Sequence, residues 1–214
     1  MNNLEVTQGE FVAPVEPDFE SLWHLRRVGT DKVYKNTTFV NANRLHASFG
    51  RTPCKHGPDK TYMFGLQLEG SDVDIPDILS PMHKHICTLF GFSYNQIVVN
   101  WFENGHNFIP RHKDYPHGLD LDAGVVTVSL MDQTPHTPQQ WDTQTRELVV
   151  GGTPNGPLRI DMGHKTIVRL RHEYLTEYTH GVPRTKSLNH FGLRESVPRR
   201  ISVSFRRYTQ KKKI

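Results

Sequence analysis

The sequence predicts an α+β fold, mostly β with helical support: a β-sandwich or jelly roll in place of a parallel α/β sheet. Three observations predict it. Apolar residues alternate at period two in "QIVVNWF" (96–102), "GVVTVSLM" (124–131), "LRIDM" (158–162), "KTIVRL" (165–170) and "RRISVSFRRY" (199–208), each a strand signal. Turn pairs punctuate that half of the chain at Asn104-Gly105, Gly151-Gly152, Asn155-Gly156 and Met162-Gly163. The clearest helix comes before the strands, in "SPMHKHICTLFG" (80–91), with Ser80 as candidate N-cap, Pro81 in the first turn and Gly91 as the stop.

Residues 1–20, "MNNLEVTQGEFVAPVEPDFE", are acidic and contain no apolar h-region, which predicts an N-terminal arm and not a secretory signal. Residues 21–208 form one domain of a length that buries a real core. Residues 209–214, "TQKKKI", make a basic tail. No apolar run approaches the roughly 18 residues of a membrane span, so no membrane partner is expected. The two cysteines, Cys54 and Cys87, make no disulfide framework, and Cys54 with His56 offers too few ligands for zinc. The expectation is a soluble, intracellular protein of cytoplasm or nucleus; no protein partner is predictable.

The net charge of +4 is unevenly spread. Between His24 and Lys60 stand Arg26, Arg27, Lys32, Lys35, Arg44, Arg51, Lys55 and Lys60 against Asp31 and Asp59, which is +6 and leaves −2 for the rest. A second basic cluster runs from Pro198 to the end. Such clusters suit a polyanion, and nucleic acid is the expected partner.

In the last strand, Ile201, Val203 and Phe205 share one face, and Arg200, Ser202, Ser204 and Arg206 the other. The polar row either meets water or lines a barrel interior that receives an anion. Asn100 and Phe102 raise the same choice, falling together opposite Trp101.

His112 and Asp114, in "RHKDYPHG" (111–118), form the only His-x-Asp or His-x-Glu of the chain. On an extended segment residues i and i+2 point the same way, so both can reach one ion. Two histidines and one carboxylate on an octahedral face leave three positions open, the arrangement of non-haem Fe(II) oxygenases. The second histidine must come from elsewhere. His172 lacks the spacing for His-Glu-x-x-His, whereas His180, in "YLTEYTHGVPR", lies between a strand and a loop and suits a distal ligand.

The order Asn100-x-Phe102, His112-x-Asp114, His180, Arg200-x-Ser202-x-x-x-Arg206 resembles the AlkB-type 2-oxoglutarate- and Fe(II)-dependent dioxygenases, over roughly residues 38 to 208. "NRLHASFG" is similar to the Arg-x-x-Ala-x-aromatic-Gly element of their nucleic-acid repair branch, and "TYMFGLQLEGSDVDIPDIL" to the strand, turn and Pro-containing stretch after that element. The resemblance implies a double-stranded β-helix (jelly roll) core over about 94–208, with a nucleotide-recognition lid over about 24–70. It implies that His112, Asp114 and His180 hold Fe(2+), with O2 and 2-oxoglutarate as co-substrates. Arg200 is the family match for the fork on the far carboxylate, Arg206 for the cation near the metal, and Asn100 for a further hydrogen bond to the co-substrate. Phe64 matches the aromatic that stacks on a flipped base and Tyr62 its polar neighbour, with Arg44 and Arg51 flanking "LHASFG" near the pocket mouth.

Three positions depart from the pattern. Phe102 stands where the family usually has a tyrosine whose hydroxyl helps hold the far carboxylate, and phenylalanine donates no hydrogen bond. Ser202 replaces a common asparagine. Pro116 stands at the acidic position that reads a damaged base, leaving His117, Asp120 or Asp122 as replacements. The expected function is oxidative dealkylation or hydroxylation of nucleobases in DNA or RNA, releasing succinate and CO2. Two alternatives stay open: a same-fold oxygenase acting on a protein side chain or small molecule, and a nucleic-acid-binding module without turnover.

Overall fold

Asp18 opens helix α1 (Phe19–His24), its carboxylate accepting from the Ser21 N–H at 2.7 Å, and a 3-10 turn over Leu25–Val28 closes it. Helix α2 (Ser80–Phe90) ends as the sequence predicts: Gly91 takes the left-handed conformation, φ 71°, and its N–H donates to the Cys87 carbonyl. Its start differs from the expectation. A 3-10 turn, Asp77–Leu79, runs directly into it, so Ser80 is the first helical residue and Leu79, not Ser80, holds the N-cap position. These elements come from a computed structural model that describes residues 4–7, 17–35, 38–51, 72–114, 118–133, 146–185 and 198–209.

Twelve strands are present among the described residues: β1 (Leu4–Thr7), β2 (Thr30–Lys35), β3 (Thr38–Arg51), β4 (Asp72–Val73), β5 (Gln96–Phe102), β6 (Ile109–His112), β7 (Val125–Met131), β8 (Glu147–Gly151), β9 (Leu158–Asp161), β10 (Ile167–Leu170), β11 (Thr179–Val182) and β12 (Arg200–Arg206). A short helix, α3 (Glu173–Thr176), precedes β11. The larger sheet runs β1-β10-β7-β12-β5-β3-β2, with β4 on β3, and the smaller runs β6-β11-β8-β9. Every pairing is antiparallel.

The five alternating stretches all become strands: β5 with the bounds expected, and β7, β9, β10 and β12 trimmed by a residue or two at their ends. Residues 4–7, within the stretch expected to be an arm, form β1 and pair with β10. Residues 30–35 and 38–51, within the expected lid, form β2 and β3, and β3 is hydrogen-bonded to β5.

Two cores flank the larger sheet. On its outer face Ile97, Val99, Trp101, Val126, Val128, Ile201, Val203 and Phe205 pack against Leu22 and Trp23 of α1 and Met82 and Ile86 of α2. On its inner face Phe102, Val125, Val168 and Leu170 meet Leu148, Val150, Ile160 and Val182 of the smaller sheet. The inner face also carries the polar row. All seven residues of β12 and all seven of β5 are buried, so Arg200, Ser202, Ser204 and Arg206 line an interior and not the solvent.

Candidate functional site

β6 and β11 bring the three predicted ligands together. His112 ends β6 and lies directly across the ladder from His180 in β11, with ring centroids 4.5 Å apart. Gly181 makes the approach possible: a Cβ there would sit 2.7 Å from the Ile109 carbonyl oxygen. Asp114, two residues past β6, places Oδ2 3.3 Å from His180 Nε2. One ligating atom from each residue lies within 4.8 Å of the others. An octahedral face with bonds of about 2.1 Å sets its ligand atoms roughly 3 Å apart, so small side-chain rotations close the set on an ion.

The electrostatics favour ligation. His112 keeps a solvent-exposed edge, but desolvation of the side facing the protein, and then the neighbouring His180, push its pKa down to about 4, leaving it neutral at pH 7. Its Nδ1 sits 3.0 Å from the Pro110 carbonyl oxygen. That contact keeps the proton on Nδ1 and the Nε2 lone pair free for a metal. Burial alone would raise the Asp114 carboxyl, but Arg206 and His180 outweigh it and hold it well below the usual carboxylate range. Arg206 Nη2 donates to Asp114 Oδ1 at 2.9 Å, which ties β12 to the triad.

The other end of β12 carries Arg200, six residues and about 20 Å of strand away, so the two guanidiniums serve opposite ends of the interior. Arg200 is 1 % exposed. Its Nε donates to Ser129 Oγ at 2.7 Å, and Ser129 in turn donates to the Met162 carbonyl at 2.7 Å, which fixes the fork. Its Nη1 is buried with no hydrogen-bond partner, and no carboxylate among the described residues pairs with it. Burial, and then the charge of Arg146, press its pKa down to about 9. Arg199, the neighbouring residue, is engaged elsewhere: its Nε donates to Asp132 Oδ2 at 2.7 Å, and its Nη2 meets Glu20.

Between the two ends, Asn100 lies across from Ser202, its Nδ2 donating to Ser202 Oγ at 3.3 Å while its Oδ1 accepts from Arg44 Nε at 2.7 Å. Arg44, expected at the pocket mouth, is therefore fastened to a predicted co-substrate residue. Phe102 is fully buried beneath the Arg200 guanidinium, whose carbon is 5.0 Å from the ring centroid. Arg51 lies in β3 opposite Asp72, while Tyr62, Phe64, Pro116 and His117 fall outside the described residues. His172 stands apart from the triad, 3.1 Å from Asp122.

Three residues without a clear signal in the sequence also belong here. Ser129 and His46 sit in the cross-strand row His46–Asn100–Ser202–Ser129 on the inner face. The alternation of Thr127 and Ser129 within "GVVTVSLM" was the one hint of the former. Arg146, just ahead of β8, is 2 % exposed, and its guanidinium carbon stands 5.2 Å from the Phe102 ring centroid.

No family model and no curated protein matches the chain. Among solved structures, that of OsALKBH1 is similar over 86% of this chain and 88% of that one, at 15% identity and a TM-score of 0.50. At that identity the likeness speaks for the fold: an AlkB-like jelly roll of mostly antiparallel sheets with few helices.

Proposed function

We propose that the chain is a dioxygenase dependent on Fe(II) and 2-oxoglutarate that dealkylates or hydroxylates nucleobases in DNA or RNA, releasing succinate and CO2. One observation carries the reading: a gathered His112–Asp114–His180 set at one end of the interior, with Arg200 at the other end paired to no carboxylate among the described residues. The residues fit the cofactors. Two imidazoles and an ionised carboxylate are the right donors for Fe(II), and three coordination positions would stay open for O2 and a bidentate 2-oxo acid. Bound there, iron and 2-oxoglutarate would supply the activation of O2 and the oxidation of a C–H bond.

The protein's own part is placement. His112 keeps its proton on the nitrogen facing Pro110 and offers the other to the metal. Arg206 offsets the Asp114 charge so that it can stay ionised while buried. Arg200 offers a buried fork to the far carboxylate, where a charge-assisted bond is strongest. Asn100 holds one amide N–H beyond its contact with Ser202 for the co-substrate.

The nucleic-acid substrate rests on the +6 charge of His24–Lys60 and on the likeness of Tyr62 and Phe64 to a base-stacking pair. A flipped base between an aromatic face and the metal end gains about 1–3 kcal/mol of stacking. Pro116 supports a second reading, an oxygenase of protein side chains or small molecules, because its side chain neither donates to nor accepts from a base. The test is mass spectrometry of succinate and product after incubating the iron-loaded protein with 2-oxoglutarate and methylated DNA, methylated RNA or unmodified strands. Succinate coupled to base oxidation is the expected result. Succinate formed at an equal rate with every strand and with none, and without modified base, rejects the nucleic-acid substrate; no succinate under any condition rejects the oxygenase.

A further inference from the structure

Phe102 leaves the far-carboxylate end of the pocket one hydroxyl short of the pattern that the sequence resembles, and another element brings a donor to the same ring. The guanidinium carbons of Arg200 and Arg146 stand 5.0 and 5.2 Å from the Phe102 centroid, so two cations share one aromatic side chain. Arg146 spends its outer nitrogens on main-chain carbonyls. Nη1 donates to Asn107 at 2.7 Å and to Pro183 at 3.3 Å, and Nη2 donates to Asn104. Its Nε, like Arg200 Nη1, is buried with no hydrogen-bond partner, and no carboxylate among the described residues pairs with either side chain.

Two buried cations around one ring repel each other, and each has lost its hydration. An anion beside them relieves both costs at once. The carbonyl clamps also set the orientation of Arg146 before any ligand arrives, so little side-chain entropy remains to be lost on binding.

We infer that Arg146 is a second anion donor of the co-substrate pocket, its Nε–H donating to the far carboxylate beside Arg200 in place of the hydroxyl that Phe102 lacks. The inference rests on the 2-oxoglutarate reading above. It makes Arg146 a binding residue at the end of the pocket remote from the metal, so its effect depends on the far carboxylate and on nothing at the metal end.

Calorimetric titration of the full chain loaded with Mn2+ tests it, with 2-oxoglutarate and oxalate as probes. Oxalate can chelate the metal but has no far carboxylate. Arg146→Gln should weaken 2-oxoglutarate about tenfold, the loss of one charge-assisted bond, and leave oxalate within about twofold. Phe102→Tyr should restore most of the affinity lost in Arg146→Gln, a coupling read from the double-mutant cycle. An Arg146 that only clamps carbonyls would weaken both probes together and would not be rescued by the new hydroxyl; either result overturns the inference. Should Arg146→Gln fail to fold, Arg146→Lys takes its place in the same cycle, with the same loss and rescue expected and their absence overturning the inference. Equal 2-oxoglutarate affinity in wild type and Arg146→Gln overturns this inference alone. A wild-type protein that binds no 2-oxoglutarate at millimolar concentration overturns it together with the proposed function.

Discussion

Replacing Arg200 with methionine should stabilise the ligand-free protein while removing its hold on a dicarboxylate. The side chain is 1 % exposed, and burial, followed by Arg146, takes its pKa from 12.5 to about 9. At about 1.36 kcal/mol per unit this is on the order of 5 kcal/mol of unfavourable charge burial. The folded-state pKa lies below the unfolded one, so the penalty is fully present at neutral pH and fades only above about 9. Against it stand the bond to Ser129, about 1.5 kcal/mol, and the Phe102 contact, about 1 kcal/mol, both lost in the substitution. Ser129 keeps its bond to the Met162 carbonyl, so no hydroxyl is orphaned. The balance favours methionine by about 2 kcal/mol, in line with other replacements of buried charges by apolar residues. For a chain of this length that is a rise of about 4–8 °C in Tm. The opposite effect on function is larger: losing a charge-assisted fork costs about 2–4 kcal/mol, about 30- to 1,000-fold in Kd. Differential scanning calorimetry of metal-free protein at pH 7, beside titration of the Mn2+-loaded protein with 2-oxoglutarate, measures both. A variant that melts lower than wild type and binds 2-oxoglutarate equally well would show that Arg200 is a structural residue and refute the reasoning.

Arg199→Ala should do the reverse of Arg200→Met, destabilising by about 2 kcal/mol as Asp132 and Glu20 each lose an ion pair, with the 2-oxoglutarate Kd unchanged in the same titration. Asp114→Asn should weaken metal binding by at least about 100-fold in equilibrium dialysis with Mn2+, because a neutral amide replaces the only anionic ligand; wild-type metal affinity would exclude the triad. Ligand-free stability should fall as pH drops from 6.5 to about 4, since His112 takes up a proton readily only when unfolded. Urea midpoints across that window should flatten in His112→Gln, whereas Asp114 keeps its contribution until lower pH. Arg44→Ala and Arg51→Ala should each lower the salt slope of oligonucleotide binding by about one per phosphate contact. Phe64→Ala should reduce turnover on a base more than binding. If all three leave both quantities untouched, the substrate is not nucleic acid.

The central strands were readable because alternation is a one-dimensional signal: β5 coincides with "QIVVNWF", and β12 keeps its apolar and polar faces as written. Which face of β12 looked inward was not readable, because a row of arginines and serines alternates identically whether it meets water or a barrel interior. The smaller sheet, absent from one dimension, decides that question. β3 escaped detection for the opposite reason. "TFVNANRLHASFGR" places polar residues on both faces, since its inner face joins the polar row and its apolar alternation is diluted. His112 and Asp114 declared themselves by spacing, but His180 is set by the β6–β11 register and was reached through motif order. Arg146 carried no local signal, because its partners are carbonyls of residues some forty positions away.

The pairing of β1 with β10 bears on how the protein is handled. Four residues, with Glu5 reaching Arg169 at 3.4 Å and Arg171 at 3.8 Å, cover one side of a strand whose own side chains are all buried. A cut after Thr7, or a fusion that pulls Leu4 away, bares the N–H and C=O groups of β10 as an apolar open edge. The same short segment from a second copy is the natural filler of that gap, which makes strand exchange the expected failure of a fusion that frees residues 4–7 without removing them.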